Sequence, residues 1–201
     1  MFKRRSTLSD LTRRTLGSGN MRLAVEVPEG EDTNEWIAAN TVDFYNELSL
    51  LYGLVADDAR RFSAPGTGFP PNFEYRWQIG SGKTVQVSSP EYVDYAMTWI
   101  EDQIDNEDIF PVSEEVDFPE DFIEFYVRDI FKKMFRIFAI IYHQHFEVIE
   151  SLNAAAHINT TFKHFVFFML EHHLVPEEKE LLALKTPFDR YKAEYEESEH
   201  S

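Results

Sequence analysis

Three basic side chains stand close together in a strongly acidic chain. Lys132, Lys133 and Arg136 occupy positions i, i+1 and i+4 of a segment with helical periodicity, so Lys132 and Arg136 share one face. Ammonium and guanidinium groups in this arrangement can bind a phosphate through charge-assisted hydrogen bonds. The same spacing is typical of a solvated stripe that pairs with nearby acids. Taken alone, the pattern favours that structural interpretation and leaves the phosphate site as an alternative.

A second candidate site consists of carboxylates at the start and on the outer face of the first long predicted helix. Its members are Glu26, Glu29, Glu31, Asp32, Glu35, Asp43 and Glu47, with Trp36 among them. Glu35 and Asp43 are eight residues apart and lie near the same helix face. Carboxylates around an aromatic ring suit an Arg-rich helix, because guanidinium both pairs with charge and stacks. Carboxylates near a helix N-terminus also stabilise its dipole without a ligand, so both interpretations stay open.

The histidines do not form a metal-binding pattern. His143 and His145 point in directions about 200° apart on a helix, so they cannot chelate one ion together. His157, His164, His172 and His173 follow downstream, but a metal would need further ligands that converge from elsewhere. The chain has no cysteine, which excludes disulfides, thiol nucleophiles and Cys-ligated metals. Core or surface histidines are the better interpretation.

No spacing of residues predicts a catalytic site. The Gly80-Ser81-Gly82-Lys83 string lacks the spacing of a phosphate-binding P-loop. Carboxylate-based and Glu-His-Ser sites have candidates in almost any acidic protein, but no pattern singles one out. The residues favour a binding protein over an enzyme.

Composition predicts one globular domain with a basic partner. The 201 residues include 18 Phe, and 36 acidic against 19 basic side chains give a net charge of −17. Such a field repels nucleic acid and anionic membranes, although acidity can also serve solubility alone. Apolar stretches such as 165–170 are too short to span a bilayer, and no secretory signal is recognisable. We expect a soluble protein of the cytoplasm, with the nucleus as a second location.

The periodicities predict a helical bundle with one small hairpin. Asp32 with Glu35 indicates a capping-box-like start of a helix of roughly six turns. The other predicted elements are an extended segment at 21–28, a loop at 56–72, strands at 73–79 and 84–87, helices at 90–103, 119–152 and 160–174, the last of these capped by Asn159, and a final helix from Pro176. Residues 1–20 form a predicted flexible basic arm, and residues after Pro187 are expected to fray.

Eight short strings occur in a fixed order along the chain. They are Leu-Gly-Ser-Gly-Asn at 16–20, Pro-Glu-Gly-Glu-Asp at 28–32, Asn-Glu-Trp-Ile at 34–37, Asn-Thr-Val-Asp-Phe at 40–44, Leu-Tyr-Gly at 51–53, Tyr-x-Met-Thr-Trp at 95–99, Ile-Tyr-His-Gln-His-Phe at 141–146 and Asn-Thr-x-Phe-Lys-His-Phe at 159–165. Read together, they resemble the Mob kinase-activator family. The matching strings appear in the family's order over most of the chain, which makes the resemblance highly specific.

The resemblance implies an all-α, Mob-type globular domain around a four-helix bundle with a small β-hairpin. This domain would span 21–185, between the basic arm 1–20 and a disordered acidic tail at 186–201. The implied function is a non-catalytic adaptor that binds the basic segment before the catalytic domain of an NDR/LATS-type AGC kinase, as a monomer or one-to-one complex. The positions that match the family's kinase-binding surface are Leu16, Glu31, Glu35, Trp36, Asp43, Leu50, Leu51, Leu152 and His164.

The resemblance also assigns the basic cluster. Some family members bind phosphothreonine peptides of an upstream Ste20-like kinase, and the matching positions are Lys132, Lys133 and Arg136. Lys133 stands where the best-known members carry Arg, which keeps the charge but loses a bidentate fork. Thr15 matches a regulatory phosphorylation site. A phosphopeptide-binding scaffold without a kinase-activating role is therefore the second hypothesis.

The main departure from the family concerns zinc. Many Mob proteins hold a structural zinc through two cysteines and two histidines, and the matching positions here are Ala59, Ala64, Ile140 and His145. Three of the four ligands are missing, so the sequence predicts no zinc and no other cofactor. The loop 56–72 should then be held by apolar packing of residues such as Phe62 and Phe69, with His145 neutral and packed. A metal-dependent hydrolase, the third hypothesis, loses its one family metal site.

Overall fold

Eight α-helices and one short hairpin make up the part of the chain that the structure, a computed structural model, describes. It describes residues 20–200, apart from the side chain of His200. The helices are α1 (Met21–Val25), α2 (Thr33–Ala59), α3 (Ser89–Asp105), α4 (Arg128–Gln144), α5 (Phe146–Ser151), α6 (Ala155–Glu171), α7 (Glu178–Leu181) and α8 (Lys185–Glu197). A π-helical segment, Phe122–Val127, leads into α4, and 3-10 turns follow α7 at Leu182–Leu184 and α8 at Ser198–His200. The mainly helical fold class is confirmed.

The two strands form the predicted hairpin, but they are shorter than expected. β1 (Trp77–Ile79) pairs antiparallel with β2 (Lys83–Val85). Gly80 and Gly82 have φ angles of 62° and 85° in the connecting turn, a region that glycine enters without a Cβ clash. The helix that follows starts one residue earlier than expected, because Ser88 and Glu91 form a capping box there. The hairpin and α3 together form one wall of the cleft that contains Lys132, Lys133 and Arg136, which we call the basic cleft.

Helix α2 begins where the sequence predicts. The Asp32 Oδ1 atom accepts a hydrogen bond from the Glu35 backbone N–H at 3.0 Å, which satisfies one of the free donors at the helix start. Apolar residues at steps of three and four then face inward, and Phe44, Leu48 and Leu51 are buried among them. This stripe fixes which side of α2 faces solvent.

The core is aromatic, as the phenylalanine content predicts. The rings of Phe131 in α4 and Phe165 in α6 stack with centroids 5.1 Å apart, and Phe44 of α2 meets Phe131 edge-on at 5.9 Å. Such pairs add specific geometry to apolar burial. Phe131 and the other buried rings of α4 face the core, so Lys132, Lys133 and Arg136 lie on the opposite side of this helix. None of the described helices is long and apolar enough to cross a membrane.

Several predicted helix boundaries are wrong for local reasons. Residues 21–28, expected to be extended, contain α1, because the Asn20 side chain accepts from the Arg22 N–H at 2.9 Å and caps it. The helix predicted at 119–152 breaks at His145, where φ is −133° and ψ is 9°. Asn159 lies inside α6 rather than at its start, and its side-chain oxygen accepts from the Tyr142 hydroxyl at 2.7 Å.

The acidic C-terminal segment is folded rather than disordered over most of its length. The prediction of a disordered tail at 186–201 is wrong over most of that range, because α8 extends to Glu197, with Phe188 and Tyr191 buried. Tyr195, one further turn along, donates its hydroxyl hydrogen bond to Glu171 at 2.5 Å. Its backbone carbonyl accepts from Arg22 at 2.9 Å. Phe188, Tyr191 and Tyr195 form an apolar stripe at steps of three and four. The many charged residues between them make this pattern hard to recognise in the sequence.

Candidate functional site

The three basic residues of α4 line a common cleft. Lys132, Lys133 and Arg136 face a cavity of about 620 Å³ between α4, α3 and the hairpin. Trp77 of β1 and Trp99 of α3 form part of its wall. The structure therefore brings together the three residues that the sequence groups, and it adds an aromatic wall that the local pattern did not show.

Lys133 is held against an acid and an aromatic ring. Its Nζ atom donates to both carboxylate oxygens of Asp129, at 2.9 and 3.0 Å, and lies 4.4 Å from the ring centroid of Trp99. Burial lowers the pKa of Lys133, and the Asp129 carboxylate opposes that shift. The Nζ atom of Lys132 is 3.8 Å from the same carboxylate. Of the two lysines, Lys132 is therefore held more loosely.

Arg136 is engaged by Glu180 of α7. The guanidinium donates to the two Glu180 oxygens at 2.5 and 3.0 Å, which is a bidentate pair. It also donates to the Tyr92 hydroxyl at 3.1 Å and lies 4.8 Å from the centre of the Tyr75 ring. A phosphate in this cleft would compete with the carboxylates of Asp129 and Glu180. No local pattern could reveal Glu180, because it is 44 residues away in the sequence.

Two residues expected at the kinase-binding surface lie in the core instead. Trp36 is buried, and its indole N–H donates to the Val25 carbonyl at 3.1 Å. Leu51 is buried on the inner stripe of α2. Trp36 therefore offers no free ring for guanidinium stacking. This hydrogen bond links α1 to α2 in the interior, beneath the solvent-exposed side of α2.

The outer side of α2 combines apolar and acidic side chains. Leu50 is 68% exposed and Leu54, one turn on, is 43% exposed. Leu152, directly after α5, is 51% exposed. Glu31 is exposed, and Glu35 and Asp43 are partly exposed. Leu54 was missed, although its spacing of four from Leu50 is a signal that they share a face.

We call Leu50, Leu54, Leu152, Glu31, Glu35 and Asp43 the α2 surface. It adjoins the N-terminal part of α6, where His157 Nε2 lies 3.0 Å from Glu47 Oε2. Apolar patches rimmed by polar residues are typical of docking surfaces for other proteins, and these leucines and carboxylates have that composition.

His164, also expected at that surface, is a neutral residue of the α2–α6 interface. Its ring centroid is 4.7 Å from that of Phe44, and its buried Nε2 atom has no hydrogen-bond partner within residues 20–200. Burial lowers the pKa of His164 to about 4. Leu16, the remaining predicted position of that surface, and Thr15, the predicted phosphorylation site, lie outside the described residues.

The residues at the family's zinc positions do not fit a zinc ion. Ala59, Ala64 and Ile140 offer no donor atoms, whereas a structural zinc takes four N, S or O ligands. Within residues 20–200 no group of three or more acidic or histidine side chains could hold a metal. His145, the fourth position, is buried and pairs through Nδ1 with Asp58 Oδ2 at 2.7 Å.

A polar network accompanies the packing of the loop that follows α2. Arg61 Nε is 3.3 Å from Asp58 Oδ1, and its Nη2 donates to the Gln144 carbonyl at 2.6 Å. The expectation of purely apolar anchoring is therefore incomplete: Phe69 is buried as expected, but its backbone carbonyl also accepts from the Gln144 side chain at 2.7 Å. Burial lowers the pKa of His145, although the Asp58 carboxylate opposes that shift, in agreement with a neutral, packed imidazole.

Replacing Asp58 with Asn should destabilise the protein by about 1–2 kcal/mol, because a charge-assisted hydrogen bond to buried His145 becomes a neutral one. Urea denaturation of both proteins, with and without EDTA, measures this. EDTA should change neither midpoint. Stoichiometric zinc in the purified protein, or a midpoint lowered by EDTA, would contradict the assignment of this network as the loop's anchor.

Fold and surfaces together define a mainly helical domain with an acidic, leucine-bearing surface and a basic, aromatic cleft. Residues 13–184 match the Mob1/phocein family, and the chain belongs to that family. It is 47% identical over 169 residues to MOB kinase activator-like 1 homolog A of Dictyostelium discoideum, covering 83% of this chain and 78% of that protein. It is 48% identical over 173 residues to MOB kinase activator-like 1A of Arabidopsis thaliana, covering 85% and 80%. The resemblance seen in the sequence strings is confirmed.

Proposed function

We propose that the chain is a non-catalytic adaptor that binds the basic segment before the catalytic domain of an NDR/LATS-type protein kinase and supports activation of that kinase. The relatives reported above are named kinase activator-like proteins. The observation that carries the proposal is the pair of exposed leucines, Leu50 and Leu54, beside the carboxylates of α2. Docking would order the kinase segment and bias the kinase towards its active arrangement.

The chemistry of the α2 surface selects the partner. Leu50 and Leu54 share one helix face and can accept the apolar side of an amphipathic helix. Glu35 and Asp43 lie nearer the N-terminus of α2, 15 and 7 residues before Leu50, and can pair with Arg or Lys in the adjoining part of the partner segment. The net charge of −17 steers a basic segment towards the protein and disfavours nucleic acid and anionic membranes. Charge should govern the association rate and its salt dependence, and the leucines should govern the lifetime.

Reversing two charges on this surface should weaken binding. In the Glu35→Lys, Asp43→Lys variant, affinity for the basic N-terminal segment of an NDR-type kinase from the same organism is expected to fall about tenfold or more, because two attractive interactions become repulsive. Calorimetric titration at low and moderate salt measures the effect. The salt dependence of the remaining binding should also become shallower.

A matched control separates a local site from general attraction. Glu107→Lys, Glu120→Lys changes the net charge by the same amount at two exposed positions that do not belong to the α2 surface. This control should bind nearly as well as the unmodified protein. An equal loss in both variants, or no binding to the segment at low salt, would rule out the α2 surface as the docking site.

A second candidate function is recognition of phosphothreonine peptides from an upstream Ste20-like kinase, with or without a role in kinase activation. The cleft that contains Lys132, Lys133 and Arg136 favours it, because three cations and an aromatic wall converge there. Titration with a phosphothreonine peptide and its unphosphorylated form tests it. Lys132→Glu should abolish any difference between the two peptides.

The remaining assignments follow from the same proposal. The adaptor would act as a monomer or in a one-to-one complex with the kinase, without a cofactor, in the cytoplasm and secondarily in the nucleus. Light scattering of the protein alone and with the kinase segment tests the stoichiometry, and fluorescence microscopy of a tagged chain tests the location.

A further inference from the structure

An exposed phenylalanine marks the start of the helix that bears the basic cluster. Phe125 is 64% exposed and lies in the π-helical segment Phe122–Val127 that precedes α4. The buried residues of this segment are Phe122 and Val127. π-Helical turns are rare and occur frequently at functional sites. Packing within this segment does not explain why the Phe125 ring is exposed to solvent.

Phe125 forms one side of a second cleft. This cleft has a volume of about 390 Å³, and Val175 and Pro176 are its other apolar lining residues. Arg128 forms a fixed polar part of the wall, because its Nη2 donates to the His173 carbonyl at 2.8 Å. The cleft is wide enough for one apolar side chain and lies open to solvent.

The two clefts are continuous along α4. Asp129 and Lys132 line both the basic cleft and the cleft beside Phe125. A ligand anchored at Lys132 therefore reaches Phe125 without leaving the protein surface. Phe125 and Lys132 are seven residues apart, which corresponds to about 10 Å along a helix. An extended peptide covers that distance in about three residues.

We infer that the cleft beside Phe125 is an apolar subsite for phosphothreonine peptides, which accepts a large apolar side chain about three residues from the phosphothreonine. The inference rests on the proposed phosphopeptide function. Glu124 and Glu177 also line this cleft and favour basic residues at the other positions of the peptide. The partner is thus a basic peptide with one phosphothreonine and one apolar anchor.

A peptide series tests this subsite directly. In a set of short basic peptides with a central phosphothreonine, each peptide has Leu at a different one of the remaining positions. Calorimetry compares the affinity of the protein for each of them with its affinity for the peptide without Leu. Leu about three residues from the phosphothreonine, on one side, should raise affinity about tenfold, which is what burial of part of a leucine side chain typically yields. Phe125→Ser should remove this gain, so that the leucine-bearing and the leucine-free peptides bind the variant with equal affinity.

The control is Leu23→Ser, since Leu23 is similarly exposed and lines neither cleft. It should keep the gain. A gain that survives Phe125→Ser, or no gain at any position, would overturn the subsite while leaving phosphopeptide binding intact. Failure of every phosphorylated peptide to bind better than its unphosphorylated form would overturn the phosphopeptide function itself and the subsite with it.

Discussion

Replacing Glu180 with Ala should lower the free energy of unfolding by about 3 kcal/mol, because it leaves the Arg136 guanidinium largely buried without its bidentate partner. The side chains of Arg136 and Glu180 are only 19% and 7% exposed. The pair also joins α4 to α7 across a sequence distance of 44 residues, so its loss should loosen the segment that carries α7. Urea denaturation followed by circular dichroism measures the change.

The control is Glu177→Ala, which removes an acid only three residues away. Glu177 pairs with Lys179 at 3.0 Å, but both side chains are well exposed, and exposed pairs contribute little. Its unfolding midpoint should therefore not change measurably. Equal effects of the two substitutions would show that Glu180 acts as a surface charge rather than as the partner of Arg136. A double variant with Arg136→Met, which removes both charges, should recover part of the loss.

The sequence predicts the long helices because their signals are local. The Asp32 cap and the stripe through Phe44 and Leu48 lie within one segment, and the structure confirms both. The break at His145 has no such local signal. There the backbone turns where the ring pairs with Asp58, 87 residues away, and contacts at that separation cannot be read from periodicity.

The candidate sites were predictable only in part, for a similar reason. Spacing places Lys132 and Arg136 on one face, and the structure confirms that they share a cleft. Spacing cannot show that Glu180 already engages Arg136, because that depends on how α7 packs against α4. The family match and the acidic neighbours of Trp36 predict a surface position for it, whereas its indole N–H is satisfied by the Val25 carbonyl in the interior.

The two surfaces differ in how they are prepared for a ligand. The leucines of the α2 surface are exposed and would need only to lose water on docking. The cations of the basic cleft are paired with Asp129 and Glu180, so an incoming phosphate must replace carboxylates. In the proposed phosphopeptide function, a dianionic phosphate has more charge and more acceptor oxygens than a single carboxylate and would therefore compete better with Asp129 and Glu180.

Lowering the pH from 6.5 to 4 should destabilise the protein by about 3 kcal/mol through His164 alone. The pKa of this imidazole falls from 6.5 to about 4 because the ring is buried beside Phe44. As the pH falls below 6.5, His164 therefore binds a proton in the unfolded chain but stays unprotonated in the folded protein. The contribution of His164 to stability is complete above pH 6.5, the pKa of the unfolded state, and is lost as the pH falls towards about 4, the pKa of the folded state.

The His164→Gln variant isolates this contribution. Glutamine stays neutral at every pH, so stability should depend less steeply on pH in the variant over that interval. Burial also lowers the pKa values of His145 and His172, and these groups contribute equally to both proteins, so the difference between the two profiles belongs to position 164. Urea midpoints at a series of pH values measure it. Parallel profiles would mean that the His164 ring is protonated without cost, and hence that the α2–α6 interface admits water beside Phe44.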